Sequence, residues 1–191
     1  MAKSFTDQER ELIRAGLVSA CQTCWARYGY HKTGVRELAS MVDISPGAFY
    51  QFFSSKEALF VAAAEAFQAD LVALFHTHMT RQPNKQGVAA SLKAVVAELG
   101  RASWLSAVWE EWPSIARKLP PGYVEDDFVK DTLQIEAIVR QYKLVPHLTT
   151  EQTTLVIDIL LASVSRTAFM PGQTSQAFDF MIDAVVEKLF G

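Results

Sequence analysis

Between clusters of glycine and proline, the apolar residues of this chain recur every three or four positions, and nowhere do they alternate over a strand-like stretch. That period places them on one face of a helix. The spacing predicts an all-α fold of about nine helices. Thr6 and Glu9 make a capping box, a hydroxyl at the N-cap and a carboxylate three residues on. Behind it Ile13, Leu17, Ala20, Cys21, Cys24 and Trp25 form one stripe, which should end near Tyr28-Gly29. A short helix is expected from about Gly34 to Met41, with Thr33 as N-cap and Val35, Leu38, Ala39 and Val42 inside. Ser45 followed by Pro46 is a strong helix start, and that helix should run roughly from Pro46 to Phe52. Ser54-Ser55-Lys56-Glu57 forms a second capping box and opens a long helix to about Met79. Further helices are expected over about 88–100, 103–111, 123–143, 150–169 and 174–190. They are separated by Trp112-Pro113, Leu119-Pro120-Pro121-Gly122, Pro146 and Met170-Pro171-Gly172.

A chain of 191 residues that is 50% hydrophobic and 20% charged has enough apolar material for a sizeable core. No apolar leader follows Met1, and the stretch Leu155 to Val164 contains Asp158 and is too short to span a bilayer. The expectation is a cytoplasmic protein without a membrane partner. The net charge of −3 speaks weakly against nucleic acid, but it is unevenly spread. Residues 1–60 carry seven Lys/Arg against six Asp/Glu, and the remainder carries 11 against 15. A mildly positive N-terminal part is compatible with phosphate binding.

Chemistry-bearing motifs are few. Cys21 and Cys24 have C-x-x-C spacing, but no second pair and no histidine accompanies them. Both fall on the apolar stripe of the first helix, so buried thiols are expected. His76 and His78 are two apart on a helix and face away from each other. No nucleophile elbow, P-loop, dinucleotide fingerprint or zinc signature is present in the sequence. The expectation is a non-enzyme with no cofactor and no metal.

What the N-terminal part does offer is a helix-turn-helix unit: three helices in 53 residues, with a short turn between the second and third. In such a unit the third helix must present a small leading edge to the major groove and an apolar rear to its own domain. Ser45, Pro46, Gly47 and Ala48 supply the edge, and Phe49, Phe52 and Phe53 supply the rear. The pattern Gly29-Tyr30-x-x-Thr33-x-Val35-Arg36-x-Leu38-Ala39, then Ile44-Ser45-x-Gly47-x-Phe49-Tyr50-x-Phe52-Phe53, then Ser55-Lys56-Glu57-x-Leu59 resembles the DNA-binding signature of the TetR/AcrR family of regulators. The match covers about residues 13–60; beyond it only the helical layout is similar.

The resemblance implies roles for matched positions. Thr33, Tyr50 and Lys56 resemble the family's phosphate-contacting residues, while Gly47, Ala48 and Gln51 stand where bases are read. Gln51 can pair with adenine, and Ala48 can touch a thymine methyl. Arg36, Ser45 and Pro46 complete the expected DNA-facing set. The chain departs from the family pattern at Gly34 (usually Thr), Asp43 (usually Gly), Pro46 (often Lys) and Ala48 (often Thr).

A DNA-binding domain over 1–57 and a helical ligand-binding and dimerisation domain over 58–191 are therefore expected. The last two helices are apolar on more than one face. One carries Leu155, Val156, Ile157, Ile159, Leu160, Leu161, Val164 and Phe169; the other carries Phe178, Phe180, Met181, Val185, Val186, Leu189 and Phe190. The resemblance implies a homodimer through them, with Leu160, Val164, Phe178, Met181 and Val185 as contacts. Phe75, Trp104, Leu105, Val108, Trp109 and Trp112 are candidate walls of a small-molecule site, with Glu110, Glu111 and Tyr142 as polar points. An apolar or aromatic effector suits them. The expected function is a one-component regulator, a repressor of operator DNA modulated by that effector. A ligand-independent DNA-binding protein, whether constitutive regulator or chromosome organiser, stays open as an alternative.

Overall fold

The computed structural model describes residues 5–166 and 174–190, and all its regular structure among them is helical. The helices are α1 (Asp7–Tyr28), α2 (Val35–Met41), α3 (Pro46–Phe49), α4 (Lys56–Arg81), α5 (Lys85–Arg101), α6 (Ser103–Ala116), α7 (Tyr123–Tyr142), α8 (Thr150–Arg166) and α9 (Thr174–Phe190). Phe169 and the Met170-Pro171-Gly172 break lie outside the described residues.

Local chemistry explains most boundaries. Thr6 Oγ1 accepts from the Glu9 amide at 3.2 Å, and Glu9 Oε2 accepts from the Thr6 amide at 2.8 Å, the expected capping box. Several boundaries differ from expectation, and α3 ends at Phe49 rather than at Phe52. Thr33 does not cap α2; its hydroxyl donates backwards to the Gly29 carbonyl at 2.8 Å, and Gly34 takes the N-cap position with no side-chain bond. Ser55, rather than Ser54, accepts from the Ala58 amide at the start of α4. Helix α6 does not stop at Trp112-Pro113 but continues through Pro113 to Ala116. Proline's fixed φ suits a helix, and the loss of one backbone bond is tolerated where packing holds both halves. Asn84, capping α5 through the amides of Gln86 and Gly87, starts that helix earlier than its apolar stripe does.

The chain divides into two compact units. The first contains residues up to Gln68 together with Ser103–Leu119; the second contains Ala69–Ala102 and the residues from Pro120 onward. Position 57/58 falls in the first turn of α4, whereas the compact units divide further along that helix and place α6 in the first unit. Helix α4 is long and apolar enough, by length and composition, to cross a membrane. Its buried residues here serve two cores: Leu59, Phe60 and Ala63 in the first unit, Met79 in the second.

The first core joins the α1 stripe (Leu17, Ala20, Cys21, Cys24, Trp25) to Leu38 and Ala39 of α2, to Phe49, Phe52 and Phe53, and to Trp104, Val108 and Ile115 of α6. Trp25 is its centre, with ring centroids of Tyr30, Phe60 and Trp104 at 5.5, 5.8 and 5.9 Å. Both cysteines are buried and free. Burial pushes the Cys21 thiol far up, and the Cys24 thiol lies 3.3 Å from the Met41 sulfur. The second core gathers Met79, Val88, Leu92 and Val96 with Leu160, Val164, Phe178, Ile182 and Val186.

Two polar residues burden the second unit. Thr153 is fully buried, and its hydroxyl has no hydrogen-bond partner. Removing such an orphan is neutral to favourable, so Thr153→Val should raise the unfolding free energy by about 1 kcal/mol in a urea titration. Burial, then the nearby Asp131 and Asp127, push the Asp158 carboxyl up to about 6. The folded state thus holds this proton more tightly than the unfolded chain does. Its ionised form is a cost at neutral pH that disappears as pH falls through that value. Asp158→Asn should raise Tm at pH 7.5, with a gain that shrinks toward pH 4; an equal gain at both ends would show that Asp158 does not titrate this way.

Candidate nucleic-acid interface

A four-residue helix is marginal by itself, so the geometry of α3 is imposed by its surroundings. At its N-terminus Ser45 Oγ accepts from the Ala48 amide at 3.1 Å, and Pro46 occupies the first turn. Beyond Phe49 the chain closes one more turn, the Phe52 and Phe53 amides both donating to the Phe49 carbonyl. Phe49, Phe52 and Phe53 are buried, whereas Ser45, Pro46, Gly47, Tyr50 and Gln51 are exposed and Ala48 is half-buried. The turn into α3 is made by Asp43 at φ 55°, the left-handed region that glycine occupies most easily and aspartate tolerates.

The loop between α1 and α2 is held from three sides. Lys56 Nζ donates to the carbonyls of Tyr30 (2.8 Å) and Thr33 (3.1 Å) and sits 4.1 Å from the Tyr30 ring centroid. The Tyr30 hydroxyl donates to Glu57 Oε1 at 2.9 Å, and Lys118 Nζ approaches the same oxygen at 3.9 Å. From α6, Glu111 Oε2 accepts from the His31 amide at 2.7 Å and lies 3.7 Å from the His31 ring nitrogen. Gly29 sits at φ 81°, a conformation that residues with a Cβ rarely adopt, and a Cβ there would lie 2.5 Å from Glu111 Oε1, which would have to shift.

These contacts shift the titrating groups in consistent directions. Burial lowers the Lys56 ammonium, partly offset by Glu57. Burial and the bond to Glu57 raise the Tyr30 hydroxyl well above its ordinary value. Burial also works to raise the Glu57 carboxyl, but bonds from its own amide, Tyr30 and Ser55, with Lys118 nearby, hold it below the usual range.

The expected DNA-facing residues thus separate. Arg36, Ser45, Pro46, Gly47, Tyr50 and Gln51 lie on the surface. The Thr33 side chain is buried and spent on Gly29, and the Lys56 ammonium is engaged by two carbonyls. The candidate ligand residues also separate. Trp104, Leu105, Val108, Trp109 and Trp112 belong to the first unit, while Phe75 and Tyr142 belong to the second. Trp104 and Val108 are core residues; Trp109 stacks on Trp112 at 5.7 Å. Tyr142 bonds His76 Nδ1 at 2.7 Å, and Phe75 packs on the second core. Of the expected dimer contacts, Leu160, Val164 and Phe178 turn into the second core, Val185 is half-buried, and Met181 is exposed. The apolar side chains left on the surface of these helices are Leu155, Ile159, Phe180 and Met181.

Residues 17–63, the segment that builds this arrangement, match the family model described as bacterial regulatory proteins, tetR family. That match covers about a quarter of the chain, and over it the chain is similar to the TetR family. It is 29% identical over 106 residues to the HTH-type transcriptional repressor Rv1474c of Mycobacterium tuberculosis, an alignment spanning 56% of this chain and half of that repressor's length. It is 27% identical over 161 residues to the HTH-type transcriptional repressor AcnR of Corynebacterium diphtheriae, covering 81% of this chain and 76% of that one. In fold it is similar to the transcriptional regulator FadR from Bacillus subtilis in complex with stearoyl-CoA: TM-score 0.62, 13% identity, 93% of this chain and 97% of that one.

The structural roles of Arg10, Arg14, Tyr30, Glu57, Glu111 and Lys118 escape sequence reasoning. Their partners lie 26 to 80 residues away, a distance no local pattern reports. Lys56→Met keeps the aliphatic stem but leaves the Tyr30 and Thr33 carbonyls without their donor. It should lower the unfolding free energy by about 1–3 kcal/mol in urea. An unchanged midpoint would show that the ammonium does not hold the loop.

Proposed function

We propose that this chain is a one-component transcriptional regulator, a repressor that binds operator duplex DNA as a homodimer and is modulated by a small molecule. The carrying observation is the two-sided character of α3. Its small leading edge and the side chains of Tyr50 and Gln51 are exposed, while three phenylalanines anchor its rear. A groove-reading helix needs both properties at once. Arg36 stands exposed on α2 to meet the phosphate backbone. The two named repressors to which the chain is similar support the same reading, and cytoplasmic localisation follows from it.

Homodimerisation follows from the apolar surface that α8 and α9 keep after the second core is filled. Leu155 and Ile159 are one helical turn apart, and Phe180 and Met181 are adjacent, with Phe180 76% exposed. Two copies would present two readers to half-sites about 34–36 Å apart. The effector is proposed to be apolar or aromatic, in keeping with the aromatic content of α6 and with the acyl-CoA held by the B. subtilis protein.

Selection from a pool of randomised duplexes should enrich one palindromic sequence, and sedimentation should give a dimer that Phe180→Glu with Ile159→Glu converts to monomer. Gln51→Ala should cost about 1–3 kcal/mol of discrimination at one base pair of each half-site. Tyr50→Phe should weaken binding to all duplexes alike. Absence of enrichment by the wild-type dimer would overturn the DNA-reading function. Long-chain acyl-CoAs and flat aromatic compounds, titrated into the enriched complex, test the sensing part; none changing DNA affinity would remove it.

A further inference from the structure

The N-terminal end of α3 is set by Ser45, but the other end is set from outside. Two arginines on α1, four residues apart and so on one face, reach across to it. Arg14 Nη1 donates to the Phe52 carbonyl at 2.9 Å, and its guanidinium lies 4.3 Å from the Phe53 ring centroid. Arg10 Nη2 donates to the Gln51 carbonyl at 3.1 Å, and its guanidinium lies 5.1 Å from the Phe52 ring centroid. Each cation thus makes a bond and a ring contact on neighbouring residues.

We propose, resting on the reading of α3 as the DNA reader, that Arg10 and Arg14 are positioning residues that fix the direction in which that reader presents Tyr50 and Gln51. The phenylalanines hold the segment by apolar burial, a driving force that is not directional. A hydrogen bond to a backbone carbonyl is directional, and a planar guanidinium over a ring adds a second constraint on the same residues. The carbonyls served belong to the end of the helical segment, where backbone acceptors lack intrahelical donors and a cation is favoured. The arginines themselves stand on a firm base, since α1 is anchored by Leu17, Cys21, Cys24 and Trp25. Arg10 holds the main chain of Gln51, the residue assigned to base reading. A shift there is carried directly to the side chain that meets the base.

Lysine is the discriminating substitution. It keeps the charge, and with it any long-range attraction to DNA, but offers neither the planar fork nor the ring stack. The experiment compares wild type with Arg14→Lys, Arg10→Lys and the double variant, each confirmed folded by circular dichroism and thermal melting. Affinity is measured by fluorescence anisotropy across a salt series, for the duplex enriched by wild type and for a scrambled duplex. Hydrogen exchange is followed in the free protein. The expected result is a ~10-fold or greater fall in the enriched-to-scrambled affinity ratio for Arg14→Lys, the scale of one lost base contact. The salt slope should stay unchanged, and amide exchange across residues 50–53 should quicken while the α1 core stays protected. An unchanged ratio with unchanged exchange overturns the proposal. So does an equal loss on both duplexes with a shallower salt slope, which would make the arginines phosphate contacts. If wild type enriches no duplex, the DNA reading itself falls. Hydrogen exchange still decides whether the arginines hold the segment.

Discussion

The first unit depends on docking a helix too short to stand alone. Four residues cannot offset the cost of nucleating a helix, so the surface they present exists only because Phe49, Phe52 and Phe53 are buried behind it. Burial of three aromatic side chains is a large apolar contribution. It also leaves Gly47 and the side chains of Tyr50 and Gln51 on the surface, with Ser45 spent on the N-cap. The small residues Pro46 and Gly47 and the exposed side chains of Tyr50 and Gln51 can therefore be chosen for what they meet outside the protein. Trp25 serves the same unit further in, packed among the rings of Tyr30, Phe60 and Trp104.

The polar bonds of the unit then decide direction. Helix α6 comes from much later in the chain, yet it belongs to this unit, and its Glu111 carboxylate closes over Gly29 and the His31 amide. The opposite side of the same loop is taken by Lys56 at the start of α4. The path from α1 into α2 is thus fixed by two residues of opposite charge that reach backbone groups of the complementary kind. Both make charge-assisted bonds to backbone groups of the loop, and such bonds are worth more than exposed ion pairs. Helix α6 is also joined covalently to α5 through Ala102 and to α7 through the Pro120-Pro121-Gly122 turn.

How much of this was legible follows from the range of each interaction. The capping box at Thr6, the start at Ser45-Pro46 and the inward phenylalanines are settled within a few residues, and the structure has them as the sequence implies. Thr33 misled because a threonine before a helix caps it by default; here its hydroxyl closes the loop behind it instead. Pro113 misled because a proline inside a helical stripe normally ends the helix, whereas packing of Trp104, Val108 and Ile115 holds both sides of it. In α8 and α9 the surplus of apolar faces was visible. Which face turns inward is decided by the neighbours, and α5 supplies them through Val88, Leu92 and Val96. That is why Leu160, Val164 and Phe178 lie in the second core while Leu155, Ile159, Phe180 and Met181 stay on the surface.

The departures from the family pattern fit one physical reading. Asp43 accepts the left-handed conformation at the turn, at some conformational cost relative to glycine. It also puts a negative charge beside the segment that would approach phosphates. Pro46 and Ala48 remove two side chains that elsewhere add polar contacts. Together these changes take electrostatic attraction away from the leading edge. Of the cations in this unit, Arg10, Arg14 and Lys56 are held by main-chain carbonyls, while Lys32, before α2, and Arg36, on it, are exposed. On the proposed reading, selectivity would come from fit, from Gln51 on a base and from small residues that let the backbone come close, and fit is the property most sensitive to how firmly the short helix is aimed.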